Sequence, residues 1–219
     1  MFLVQIAVAV LAYLIGSVST ATIVSKRLAL PDPRTYGSGN PGATNVLRSG
    51  RKDAAAWTLA GDALKGLLAI LIARCFTAWM NLGDGTVGLA AMAVVLGHVY
   101  PLFYGFKGGK GVATGFGVIL GMSWAAAFWV ALIWGATAYK SKKSSLAALV
   151  AAGCAPFVAF IVIDHPSWGW SLVAVSFLVF HRHRENIRRM KEGSEPAVGT
   201  EAASAEPQSA EGNHAAPQQ

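Results

Sequence analysis

The chain has 219 residues, 54% of them hydrophobic and only 13% charged, with a formal net charge of +7. A soluble domain carries about 25% charged residues, so this composition excludes an ordinary soluble fold and points to an integral membrane protein. Nucleic acid is then not the reason for the positive charge, whose meaning lies in where the basic residues fall.

Residues 2–25 form the first apolar run, helix-compatible and long enough at about 1.5 Å per residue to cross a hydrocarbon core of ~30 Å. It is too long for a signal peptide and no cleavage site follows, so it is expected to stay as an anchor. The polar, glycine-rich stretch GSGNPGATNVLRSGRK, residues 37–52, comes next. Gly37, Gly39 and Gly42 have the G-x-G-x-x-G spacing of a dinucleotide turn, but the preceding segment is not strand-like. The stretch reads instead as an anion site. Its glycines let backbone N–H groups converge, Ser38, Asn40, Thr44 and Asn45 offer hydrogen bonds, and Arg48 offers a fork suited to phosphate.

The second span, residues 54–80, carries Asp62 and Lys65 three apart within GDALKG. Ionisable groups at that depth must pair or face a polar cavity; a structural ion pair is the preferred reading, with support of the site as the alternative. Arg74 is expected to snorkel outward. The third span, 87–104, runs into GHVYPLFYGFKGGKGVATG, residues 97–115. Here glycine amides, Lys110 and the start of a helix suggest a second anion cradle. It is not a Walker loop, because Gly111 stands where the magnesium-binding Ser or Thr would be. His98 reads as an interfacial side chain that caps the helix or packs on Tyr100.

Residues 112–139 are either one long helix or two short ones broken near Gly121-Met122-Ser123. If they cross twice, 16 of the 18 Lys and Arg fall on one side of the membrane. The positive-inside rule therefore favours about seven spans, some short or partial, with the basic face cytoplasmic and the N-terminus outside. Residues 145–163 and 168–180 complete the set. The sequence HRHRENIRR, residues 181–189, then places His183 and Asn186 at i, i+3 and Glu185 and Arg189 at i, i+4 on a helix. Residues 192–219, without an aromatic, are expected to be a disordered cytoplasmic tail beyond a single catalytic domain, 1–191. Cys75 and Cys154 lie in apolar segments and suggest neither a disulfide nor a metal site.

GSGNPGATNVLR, GHVYPLFYGFKGGKGVAT and HRENIRR resemble, in this order, the three signature motifs of the bacterial membrane glycerol-3-phosphate acyltransferases that use acyl phosphate, the PlsY family. The resemblance covers residues 1–191. It implies an all-α inner-membrane enzyme with a cytoplasmic-side active site. That enzyme moves a fatty acyl group from acyl phosphate to the 1-hydroxyl of glycerol 3-phosphate, giving lysophosphatidate and phosphate without metal or cofactor. It also implies roles for single residues. Ser38, Arg48, Lys110, His183 and Asn186 would be required for catalysis. Thr44, Gly108, Gly109 and Gly111 would bind substrate and Glu185 would be structural; the residues' own chemistry adds Gly39, Asn40 and Asn45 to the substrate-binding set, with Asp62 and Lys65 as structural support. The partners implied are the two substrates, membrane lipid and contact with the enzyme that makes acyl phosphate. His183 is either the general base or a hydrogen-bond partner of a substrate phosphate. A transporter of an organic phosphate is the rival reading, but it would need access from both sides and usually repeated halves, and no repeat is visible.

Overall fold

The structure, a computed structural model, describes residues 1–198. Its helices are α1 (Phe2–Gly16), α2 (Thr20–Arg27), α3 (Ala43–Leu47), α4 (Lys52–Met80), α5 (Gly85–Val99), α6 (Val112–Met122), α7 (Trp124–Ser141), α8 (Ser144–Val162), α9 (Pro166–Arg182) and α10 (Arg184–Lys191). There is no strand among the described residues. Four helical stretches, Phe2–Arg27, Lys52–Met80, Gly85–Tyr104 and Ser144–Val162, are long and apolar enough to cross a membrane.

Local chemistry sets the breaks. The first apolar run is interrupted at Ser17–Ser19, where Ser17 Oγ donates to the Tyr13 carbonyl and Ser19 Oγ caps α2 by accepting from the Thr22 N–H. The ambiguous stretch 112–139 is two helices. α6 ends at Met122, and an extended Ser123 caps α7 by accepting from the Ala126 N–H. Asn81 and Lys142 close α4 and α7 in the left-handed conformation.

Neighbouring side chains fix the direction of each run. Gln5 meets Thr86 while Tyr13 reaches the Tyr100 carbonyl, so α1 and α5 are parallel. Gly66 lies on Thr114 and Ile70 on Gly121, so α4 and α6 are parallel as well. Ser176 donates to the Ala152 carbonyl and Phe160 meets Trp170 edge to face, which makes α8 and α9 an antiparallel hairpin. Seven helical runs (α1–α2 together, then α4 to α9) thus join two ends of one body. The turns after α2, α5, α7 and α9 lie at one end, and they carry the four basic clusters.

Small residues let the helices approach closely, as lipid-embedded packing requires. A Cβ on Gly66 would collide with the Thr114 carbonyl, and one on Gly117 with the Ala63 carbonyl, so α4 and α6 touch backbone to backbone. Gly16 and Gly97 do the same for α1 and α5. The outward faces are apolar, with Leu3, Leu64, Phe128, Phe157, Ile161 and Phe177 among the exposed side chains. Arg74 departs from the expected snorkel. Its guanidinium turns inward to donate to the Gly121 carbonyl at 2.7 Å and lies over the Trp168 ring. It satisfies the orphan carbonyls where α6 stops short.

Candidate active site

Asn45, buried on α3, organises the first polar island. Its amide Nδ2 donates to the carbonyls of Pro33 and Tyr36 at 2.7 and 3.2 Å. Its Oδ1 accepts from the Ser38 N–H at 2.9 Å, Ser38 Oγ at 3.2 Å and Arg48 Nη1 at 3.3 Å. One side chain thereby folds the loop and aims both Ser38 and Arg48. Gly37, at φ +58°, is needed because a Cβ there would strike the Asn45 and Arg48 side chains.

The second island is strapped over the end of α5. The Gly108 N–H donates to the Val99 carbonyl and the Gly109 N–H to the His98 carbonyl, at 3.2 and 3.1 Å. Arg182 donates to the carbonyls of Gly108 and Gly109. These two glycine amides are therefore occupied, a correction to the expectation that they face an anion. What the loop presents is Lys110 and, after Gly111 in the left-handed region at φ +86°, the first turn of α6 with its outward N–H groups.

The third island bends at His183, where α9 ends and α10 begins. His183 is buried, and its Nδ1 lies 2.8 Å from the Val179 carbonyl. A carbonyl only accepts, so Nδ1 carries the proton and Nε2 keeps its lone pair. Burial, helped by the Lys110 and Arg182 charges, lowers the His183 pKa to about 4, so the ring is neutral at physiological pH. Asn186 accepts from Lys110 Nζ at 2.6 Å. Burial and the Arg189 charge lower the Lys110 pKa to about 8, against the opposing pull of Glu195.

Two acidic expectations change places. Glu185 is exposed on α10 and pairs with Arg188 at 3.2 Å, away from the site. Glu195, assigned by its sequence to the tail, is only 8% exposed. Its carboxylate accepts from Asn186 Nδ2 at 2.6 Å and Arg189 Nε at 2.8 Å, so Arg189 pairs with it and not with Glu185. The chain continues to Val198, whose N–H donates to the Lys142 carbonyl at 2.8 Å. The tail boundary at 192 is thus too early, and residues 199–219 lie outside the described residues. The only cue to Glu195 in the sequence is a Glu two residues after Gly193 and four past Lys191.

All three islands open on one cavity of about 900 Å3. Ser38, Asn40, Thr44, Asn45, Arg48, Lys110, Gly111, His183 and Asn186 line it, joined by Ser145, Arg189 and Glu195, which sequence reasoning missed. Gly39, Gly108, Gly109 and Glu185 do not line it. Asp62 does, ion-paired to Lys65 at 2.9 Å beneath the loop. The cavity then continues between the helices along an apolar wall that includes Phe116, Ile119, Trp134, Ala151, Leu172 and Val175.

This architecture defines a class: an all-helical integral membrane protein with a cationic mouth that opens into an apolar arm among its helices. Residues 6–193 match the family model described as Glycerol-3-phosphate acyltransferase. A protein of that name from Neisseria meningitidis serogroup B is 54% identical over 187 residues, covering 85% of this chain and 94% of the relative. Another from Bordetella pertussis is 50% identical over 200 residues, covering 88% and 91%. A crystal structure of PlsY (YgiH), an integral membrane glycerol 3-phosphate acyltransferase in its glycerol 3-phosphate form, superposes with a TM-score of 0.82 at 34% identity, covering 90% of this chain and 96% of that one. The lysophosphatidic acid form gives 0.81 at 33%. The chain belongs to the PlsY family of glycerol-3-phosphate acyltransferases.

Proposed function

We propose that this acyltransferase takes its acyl group from acyl phosphate and delivers it to the 1-hydroxyl of glycerol 3-phosphate, forming lysophosphatidate and inorganic phosphate. One observation carries the reading. A single cavity unites a mouth bearing Arg48, Lys110 and Arg189 with an apolar arm enclosed by membrane helices. Two phosphates and one fatty chain are the substrates that such a cavity matches. The likeness of the three signature motifs supports acyl phosphate as the donor, and the related structures described as glycerol 3-phosphate and lysophosphatidic acid forms support the acceptor and the product.

The reaction forms a bond from the glycerol oxygen to the acyl carbonyl carbon and breaks that carbon's bond to the phosphate oxygen. The phosphate leaves with the electron pair and finally takes up the hydroxyl proton. Arg48 binds a phosphate with a fork and Lys110 with a point charge, while Ser38, Asn40 and Thr44 add hydrogen bonds. The first turn of α6 and Lys110 stabilise charge on the leaving phosphate. His183 presents Nε2 as an acceptor, so its partner is a hydroxyl and not a fully ionised phosphate oxygen. It orients the 1-hydroxyl for attack. With a pKa of about 4 it is a weak base, and the departing phosphate is the better final home for the proton. The donor is already activated, so an acyl-enzyme is unnecessary. Neither Cys75 nor Cys154 lines the cavity.

The basic end faces the cytoplasm and the N-terminus the far side of the inner membrane, in keeping with the positive-inside rule. The deciding experiment gives the purified protein glycerol 3-phosphate with acyl phosphate, or with an acyl thioester in its place. Lysophosphatidate and phosphate in equal amounts from acyl phosphate alone are expected. Turnover from the thioester but not from acyl phosphate would overturn the assignment.

A further inference from the structure

Asp62 and His98 are more deeply buried than a structural ion pair with lipid-side support would require. Asp62 is 2% exposed and His98 is 7% exposed, and both line the same cavity as Lys110 and Arg48. They come from different helices, α4 and α5. Asp62 lies one turn before Gly66, which rests on Thr114, and this brings it level with the start of α6 and with Lys110. His98 packs directly against Gly109.

The Asp62 carboxylate is ion-paired but short of hydrogen-bond donors. Oδ1 is shared by Lys65 Nζ at 2.9 Å and His98 Nδ1 at 3.6 Å. Lys65 Nζ also donates to the Val18 carbonyl at 2.8 Å. Oδ1 is fully buried and, these ion-pair contacts aside, accepts no hydrogen bond among the described residues. A buried carboxylate oxygen without a donor is costly, so one is expected to arrive with a ligand. Lys65 neutralises the carboxylate, and the pair does not repel a phosphate held nearby. A carboxylate does not bind an anion, and an apolar chain offers it nothing. The ligand group it fits is a neutral hydroxyl.

We infer that Asp62, with His98 beside it, binds the 2-hydroxyl of the glycerol 3-phosphate acceptor. The inference rests on the acyltransfer reading above, in which His183 receives the 1-hydroxyl and the basic residues receive the phosphate. The secondary hydroxyl is then the remaining polar group, and the Asp62 carboxylate is the remaining acceptor at the level of the cradle. His98 Nδ1 steadies the carboxylate from α5. In this arrangement the enzyme recognises glycerol itself and not merely a phosphate with a primary alcohol.

The test compares two acceptors, glycerol 3-phosphate and 1,3-propanediol monophosphate, which lacks only the 2-hydroxyl. With acyl phosphate as donor, the wild-type protein should prefer glycerol 3-phosphate by about tenfold to a hundredfold in kcat/KM, because the analogue leaves a buried acceptor unpaired. Asp62→Leu combined with Lys65→Met removes the pair without leaving a lone charge. It should shrink the preference to within about twofold, chiefly by losing activity toward glycerol 3-phosphate. His98→Gln should reduce the preference in part, and Asp62→Asn, which keeps an oxygen acceptor, should retain more of it than the double variant. If the double variant fails to insert, the His98→Gln and Asp62→Asn ratios decide. Equal losses toward both acceptors, or a wild-type protein indifferent to the 2-hydroxyl, overturn the inference while leaving acyl transfer intact. No transfer to either acceptor overturns the acyltransfer reading, and this inference with it.

Discussion

Removing the Glu195 carboxylate should disable the site by unseating Asn186 and Lys110. This side chain accepts from Asn186 at 2.6 Å and from Arg189 at 2.8 Å, and Asn186 in turn holds Lys110 at 2.6 Å. Each hydrogen bond to a charged group contributes about 1.5–3 kcal/mol. Glu195→Ala breaks two of them and leaves the half-buried Arg189 without its partner, a loss of roughly 3–5 kcal/mol. Part will appear as lost stability and part as misplacement of Asn186 and Lys110. We expect kcat/KM to fall at least a hundredfold and thermal unfolding in detergent to come several degrees lower. Glu195→Gln, which keeps one acceptor, should be milder on both measures. Glu185→Ala is the matched control: that side chain is 58% exposed, and the change should cost less than about 1 kcal/mol and under twofold in rate. Ending the chain after Val198 should leave activity intact, whereas ending it after Ser194 should reproduce Glu195→Ala. Equal behaviour of the Glu185 and Glu195 variants would refute the reasoning.

Arg48→Ala and Lys110→Ala should each lower acyl transfer by tenfold to a hundredfold or more in steady-state kinetics, while Arg51→Ala, whose side chain pairs with exposed Asp53, and Arg184→Ala stay within about twofold. Because burial lowers the Lys110 pKa to about 8, this residue is cationic below that pH and loses its charge as pH rises through it. The kcat/KM profile of the wild type should therefore fall above pH 8, and Lys110→Arg, if active, should lack that limb. Gly117→Ala drives a Cβ into the Ala63 carbonyl and should destabilise the α4–α6 crossing by about 1–3 kcal/mol in thermal unfolding. Gly135→Ala meets open space within α7 and should be neutral or stabilising by up to about 1 kcal/mol.

The sequence by itself determined the class of the molecule and the positions of its three polar islands. Long apolar runs separated by basic clusters can only be helices in lipid, because the hydrocarbon core offers unpaired backbone groups no partner. The break of residues 112–139 was legible too, because only two helices bring the basic clusters together. Ser38, Arg48, Lys110, His183 and Asn186 lay in motifs specific enough to mark them. Tertiary structure alone decided how those motifs are wired. The Gly108 and Gly109 amides are spent on α5 carbonyls, a pairing between segments that no local pattern reveals. Arg74 turns inward because α6 happens to end beside it. Glu195 replaces Glu185 because the chain doubles back after α10, and burial depends on that path and not on residue type. His98, legible only as an interfacial histidine, proves to be a buried neighbour of Asp62, 36 positions away in sequence. Composition and periodicity report the solvent each segment prefers, but a hydrogen bond between distant segments is fixed only when packing sets which polar atoms lose water together.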